Sequence, residues 1–151
     1  MKLSRGMRNN NPLNIRRTSD KKRWQGQLME TEEKDFCTFA TMPYGYRAAW
    51  ILLDNYQLWM VQHAKTYCIR NIIRRWAPAT ENNTRAYINR VCKLTNINAD
   101  DILKAPFLDT DKFIQIIAAM TCVENGISME EVPMEHIRDG FRLAFGKISE
   151  V

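Results

Sequence analysis

Residues 109–126, DTDKFIQIIAAMTCVENG, constrain the fold of this chain more than any other stretch. Phe113, Ile114, Ile116, Ile117, Ala118, Ala119, Met120, Cys122 and Val123 leave almost no polar side. A helix that is apolar all round is buried, so other elements must surround it. Asp109 or Thr110 can cap its start, since either side-chain oxygen can accept a free backbone N–H. Gly126 can end it in the left-handed conformation. Glu124 then falls in the last turn, beside carbonyls that carry partial negative charge. Burial there also disfavours the ionised form. Both effects raise the carboxyl pKa, and a carboxyl that keeps its proton near neutral pH can act as a general acid. The plainer alternative is a charge that merely starts an exposed loop.

Around this helix the pattern predicts four or five more, and one hairpin. Residues 1–23 are basic, amide-rich and expected to be irregular, because three asparagines before a proline do not favour a helix. Such a loop offers many donors and acceptors for sugars or phosphates; otherwise it is a solvated terminus. Residues 24–39 read as a β-hairpin turning within 32–35, with Cys37 and Phe39 on its apolar face and Glu30 on the first strand. A helix follows over 43–63, with Thr41 as a possible cap and a face of Ala48, Ile51, Leu52, Asn55, Tyr56 and Trp59. Trp50, Trp59 and Met60 are expected to pack in the core rather than to stack on sugars. Residues 66–77 give another helix, burying Ile69, Ile72, Ile73 and Trp76 and stopped by Pro78. Residues 80–95 give a third, with Tyr87, Ile88, Val91 and Leu94 in period. A short helical turn over 98–104 and a terminal helix over 133–147, carrying Ile137, Phe141 and Phe145, complete the set. No repeat or linker divides the chain. Residues 1–151 read as one mostly helical α+β domain with one small β-hairpin.

The formal net charge of +5 favours a polyanionic partner without choosing among nucleic acid, cell-wall polymer and lipid headgroups. The first residues hold no apolar segment of a signal peptide, and no apolar run is long enough to insert in a membrane. The four cysteines, Cys37, Cys68, Cys92 and Cys122, are widely spread, include no CxxC, and are expected to be free thiols. A zinc site built on His63 or His136 has little support.

An ordered set of motifs now carries a resemblance. Arg5-Gly6, Arg8-Asn9-Asn10-Asn11-Pro12 and Asn14-Ile15-Arg16 resemble the opening of phage virion-associated lytic proteins, which belong among the lysozyme-like peptidoglycan-cleaving enzymes. The resemblance continues through Trp24-Gln25-Gly26, Glu30, Phe39, Tyr44-Gly45, Arg47-Ala48, Arg75-Trp76-Ala77-Pro78, Glu81-Asn82, Thr84 and Tyr87 to Glu124-Asn125-Gly126. Residues 80–91 are similar to the helix of lytic transglycosylases that presents a tyrosine to the sugar cleft, with Tyr87 at the matching position. The amide loop and hairpin are similar to the segment that follows the catalytic helix in flagellar-type glucosaminidases. Here the glutamate helix comes after that segment, as a circular permutation would place it. Leu13 departs from the pattern, which has glycine there, and the connection from Tyr56 to Arg75 is longer than usual.

What the resemblance implies is a lysozyme-like fold that cuts peptidoglycan glycan strands, as a lytic transglycosylase or a muramidase. Glu124 is then the general acid and base, Glu30 a second carboxylate across the cleft, and Tyr87 a group that orients sugar or stabilises charge. Asn11, Asn14, Arg16, Trp24 and Asn125 are the expected substrate-binding residues. No metal or organic cofactor is required. Without an export signal, such a protein reaches the wall in a virion, through a pore or on lysis. The runner-up is a non-catalytic virion or wall-binding protein of the same fold. A nucleic-acid binder, drawn from the charge and the arginines between Arg70 and Arg75, ranks below both because no DNA-reading motif accompanies them. The sequence sets no oligomeric state.

Overall fold

The computed structural model describes residues 2–19, 23–78 and 83–146. Among them are six α-helices and one two-stranded antiparallel sheet, so the mostly helical reading with one small hairpin holds. They are α1 (Arg5–Arg8), β1 (Gln27–Leu28), β2 (Thr38–Phe39), α2 (Met42–Gln62), α3 (Ile69–Trp76), α4 (Thr84–Thr95), α5 (Thr110–Asn125) and α6 (Met134–Phe145).

α5 is the buried axis. Phe113, Ile116, Ile117, Ala118, Ala119 and Met120 have no exposed surface, and their neighbours from the other helices form one connected apolar cluster. Gly126 ends the helix at φ 65°, a left-handed conformation that glycine adopts without a Cβ penalty. The start differs from expectation. Asp109 occupies the capping position but makes no capping hydrogen bond; its carboxylate lies 3.6 Å from the Lys112 ammonium instead.

α4 packs along α5, and α3 packs on α4. Ile69, Ile72 and Ile73 are fully buried, as their spacing predicts. α3 begins three residues later than expected, because Cys68 is extended at φ −149°. α4 is capped by Asn83, whose side chain accepts the Ala86 N–H, while Thr80, Glu81 and Asn82, expected in or beside its first turn, lie outside the described residues. Residues 98–104 form a turn rather than a helical segment, and the short 3-10 helix comes at Pro106–Leu108. Lys147, expected in α6, also lies outside the described residues.

α2 is rotated relative to the predicted face. Its buried side is Tyr46, Ala48, Ala49, Trp50, Leu53 and Met60, whereas Asn55 is exposed. Two anchors fix that rotation. The Trp50 indole donates to the Ile137 carbonyl at 2.9 Å, joining α2 to α6. Tyr46 Oη lies 3.0 Å from Thr121 Oγ1 on α5, both groups buried. A buried hydrogen bond left unmade costs about 1–3 kcal/mol, so these pairs select one rotation of an otherwise broadly apolar helix.

The N-terminal segment is more ordered than its composition predicts. Ser4 caps the single turn of α1, accepting the Met7 N–H at 3.5 Å. Asn11 then replaces missing backbone partners: its Nδ2 donates to the Ile15 and Cys37 carbonyls at 2.9 Å each, and its Oδ1 accepts the Ile15 N–H at 2.9 Å. The hairpin is much shorter than expected. Only Gln27↔Phe39 and Leu28↔Thr38 pair, and Phe36 bridges to Arg16 outside the sheet. Cys37 and Phe39 are buried as their alternation predicts. All four cysteines are free thiols.

Candidate active site

The amide loop, the hairpin loop, α2, α3, α4 and the end of α5 enclose a groove of about 530 Å³. Its walls include Trp24, Phe36, Tyr56, Trp76 and Tyr87, the guanidiniums of Arg5 and Arg16, and the carboxyl of Glu124. Aromatic faces with a few convergent polar groups are what a small-ligand or glycan site requires.

Glu124 sits where two distant parts of the chain meet. Asn14 Nδ2 donates to its Oε1 at 3.0 Å and to its own backbone carbonyl at 3.4 Å. From α4, the Tyr87 hydroxyl donates to Oε2 at 2.8 Å. Burial raises the Glu124 pKa above the ordinary carboxyl value, outweighing hydrogen bonding from Asn14, Tyr87 and Trp76 that favours the ionised form. Burial and the neighbouring carboxylate together hold the Tyr87 hydroxyl well above its own ordinary value, so it stays a phenol. The acid is thus reluctant to ionise, fixed at both oxygens, and open to a groove.

Packing behind the acid explains the fixed geometry. Asn14 is left-handed, at φ 51°, which aims its amide at the end of α5. Gly6 makes the approach possible: a Cβ there would lie 2.5 Å from Asn125 Oδ1 and 3.2 Å from Asn14 Oδ1. Asn125 ties the two segments together. Its Nδ2 donates to the Pro12 carbonyl at 2.7 Å and to the Thr121 carbonyl at 2.9 Å, and its Oδ1 accepts the Ser4 hydroxyl at 2.6 Å.

The predicted site residues therefore divide. Glu124, Tyr87, Asn14, Arg16 and Trp24 are brought together around the groove. Asn11 is fully buried with its hydrogen bonds spent on the backbone of Ile15 and Cys37, so it holds the loop together and does not line the groove. Asn125 is likewise a fastener and lies off the groove wall. Glu30 is neither on a strand nor on the groove: it is exposed in the loop beyond β1 and does not stand opposite Glu124. The cause is the brevity of the sheet, which frees the chain after Leu28.

Several wall residues were not singled out as site residues from sequence. Leu52 and Tyr56 read as core positions of α2 but face the groove, as does Trp76 from α3, and Phe36, on the hairpin face opposite Cys37 and Phe39, joins them. Arg5 is held near the Phe36 ring, its guanidinium carbon 4.6 Å from the centroid, with Glu33 at 4.0 Å. The signal that was available is the arginine–aromatic pairing in the two amide-loop and hairpin motifs, which separates into a wall only when the chain is folded.

No protein-family model matches the chain. It is 34% identical over 143 residues to Protein P5 of Pseudoalteromonas phage PM2, an alignment that spans 94% of this chain and 82% of that protein.

Proposed function

The chain belongs to the family of Protein P5 of phage PM2, and for this member we propose cleavage of peptidoglycan glycan strands by a lysozyme-like domain acting as a lytic transglycosylase. The observation that carries the reading is the raised, doubly held carboxyl of Glu124 on an aromatic groove. The N-terminal amide loop stands beside the end of the α5 helix, the contact that a permuted order of these segments requires.

The chemistry follows from the groups present. Protonated Glu124 gives its proton to the glycosidic oxygen as the C1–O bond breaks, and positive charge develops at C1 and the ring oxygen. The Glu124 carboxylate then takes the proton of the substrate's own C6 hydroxyl as that oxygen bonds to C1. A 1,6-anhydro end forms, no water is consumed, and the acid is restored. Tyr87 is suited to both halves of the cycle, because a phenol can donate to a carboxylate and accept from a carboxylic acid. Asn14 keeps Oε1 in place throughout. Aromatic walls exclude water and stack sugar rings.

Among the described residues lining the groove, Glu124 is the single carboxyl. A hydrolase of the usual kind uses two across the bond, whereas the anhydro route uses one. Glu124, held by Asn14 and Tyr87, supplies that one carboxyl, and the transglycosylase reading rests on it.

Mass spectrometry of fragments released from purified peptidoglycan tests the proposal. Anhydro-muramic ends that vanish in Glu124→Gln are expected. Reducing muramic ends replace the transglycosylase with a muramidase. Pelleting with peptidoglycan while releasing nothing identifies a wall-binding protein and ends the enzymatic reading.

A further inference from the structure

The three buried tyrosines spend their hydroxyls on the protein. Tyr46 pairs with Thr121, Tyr67 donates to the Leu53 carbonyl at 2.7 Å, and Tyr87 donates to Glu124. Tyr56 differs. It is half-buried and lines the groove, yet among the described residues its hydroxyl has no hydrogen-bond partner. Nor is that oxygen sealed from solvent. A largely covered phenol normally finds a partner, so one that stays accessible on a groove wall is placed to bond with what enters.

The ring is held by its neighbours. Tyr56 and Trp59 lie three residues apart on α2, and His63 follows at the end of the helix, so the three share one side. His63 stacks on Trp59, with ring centroids 4.2 Å apart. From α3, Arg75 lies over both of the other rings, its Cζ 4.0 Å from the Trp59 centroid and 5.2 Å from that of Tyr56. The next residue, Trp76, meets the Tyr56 ring at 5.9 Å and 66° and hydrogen-bonds through its own side chain to Glu124. Tyr56 therefore stands one ring away from the acid. Burial raises its pKa and the Arg75 charge offsets part of that rise, so the hydroxyl keeps its proton at neutral pH. A neutral phenol can donate and accept, which matches the hydroxyls and acetamido carbonyls of a sugar.

We propose that Tyr56 is a substrate-binding residue whose hydroxyl bonds to a neutral oxygen of the glycan, and that Arg75 is the positioning residue that holds its ring. The inference rests on the reading of the groove as a glycan site and adds to it a contact made with the sugar rather than with Glu124. Arg75 acts through the rings, so the ligand needs no charge to answer it.

Titration calorimetry with soluble uncross-linked peptidoglycan strands provides the test, on full-length protein carrying Glu124→Gln so that the strands stay uncut. Adding Tyr56→Phe, which removes one oxygen and keeps the ring, should weaken binding about tenfold. Its melting temperature should not fall, because no bond within the protein is lost. Arg75→Met removes the guanidinium and keeps an unbranched stem against Trp59; it should weaken binding about fivefold. The two changes together should weaken it little more than Tyr56→Phe alone, since Arg75 has no hydroxyl to position once the oxygen is gone. Binding by the Tyr56→Phe protein within about twofold of its Glu124→Gln parent overturns the proposal and leaves the glycan site standing. A lowered melting temperature in Tyr56→Phe overturns it as well, because the hydroxyl would then serve the fold. Effects that multiply fully, to about fiftyfold, overturn the role given to Arg75. Strands that fail to bind the parent overturn both the proposal and the glycan reading beneath it.

Discussion

Tyr87 and Asn14 compete with burial for control of one proton on Glu124. Burial resists the charge, and the two donors partly restore it. Removing the phenol in Tyr87→Phe takes away a bond that favours the carboxylate, so the Glu124 pKa should climb further. The alkaline limb of the pH–rate profile for peptidoglycan cleavage is expected to move to higher pH; an unmoved limb would mean that Tyr87 does not tune the acid. Glu124→Gln should reduce turnover by about 10²–10⁴-fold, the usual share of a general acid. It should also report on stability, and the sign is fixed by the direction of the shift. Because the folded-state pKa lies above the ordinary 4.5, the folded protein holds the proton more tightly than the unfolded chain. The stability from that preference is complete below 4.5 and is lost as pH rises through the raised value. Glu124→Gln removes the loss, so its melting temperature relative to the parent should improve between about pH 4 and about pH 8. A relative melting temperature that stays flat or falls over that range would contradict a buried, proton-retaining acid.

Which helix face is buried was legible for α5 and obscure for α2, for one physical reason. α5 is apolar on nearly every side, so any rotation buries it, and only its ends matter. α2 is also rich in aromatic and aliphatic residues, but it serves the core and the groove at once. Periodicity cannot tell Leu52 and Tyr56, which face the groove, from Leu53, which is fully buried. What decides is a pair of long-range bonds, Trp50 to Ile137 and Tyr46 to Thr121, invisible in local pattern. The same limit misplaced Glu30, since strands of two residues carry no register that alternation can reveal. The motifs around Glu124, Tyr87 and Asn14 were readable because each needs only to be present, and the fold supplies their meeting. The rotation of α2 has a measurable consequence. Leu53→Ala should cost about 2–5 kcal/mol in denaturant unfolding, as expected for a fully buried leucine. Asn55→Ala, on the face that sequence pattern assigns to the core, should change stability by no more than about 0.5 kcal/mol. The reverse ranking would require α2 to be turned to the predicted face.

Net charge acts across the whole protein, and its effect can be separated from the groove. Two of the three arginines of α3 show why a charge count alone says little about the partner. Arg70 is bound through two nitrogens to Asp100, at 2.7 and 3.0 Å, and Arg75 lies over Trp59 and Tyr56, at 4.0 and 5.2 Å. Their side chains have structural partners, which weakens the reading of that helix as a nucleic-acid surface. The formal net charge of +5 over the whole chain still produces a positive field, which under the proposed function would assist approach to an anionic wall. At about 0.05 M salt such attraction reaches well beyond contact, while at about 0.5 M it is screened within a few ångströms. In the proposed reaction the bond is cut inside the groove, where screening by mobile ions is weak. Raising salt over that range should therefore lower kcat/KM on peptidoglycan by about tenfold through slower encounter, and leave kcat within about twofold. Initial rates at low and at saturating substrate separate the two. A parallel fall in kcat would place the salt-sensitive step in the groove itself, and an absence of any salt effect would show that the excess positive charge takes no part in reaching the substrate.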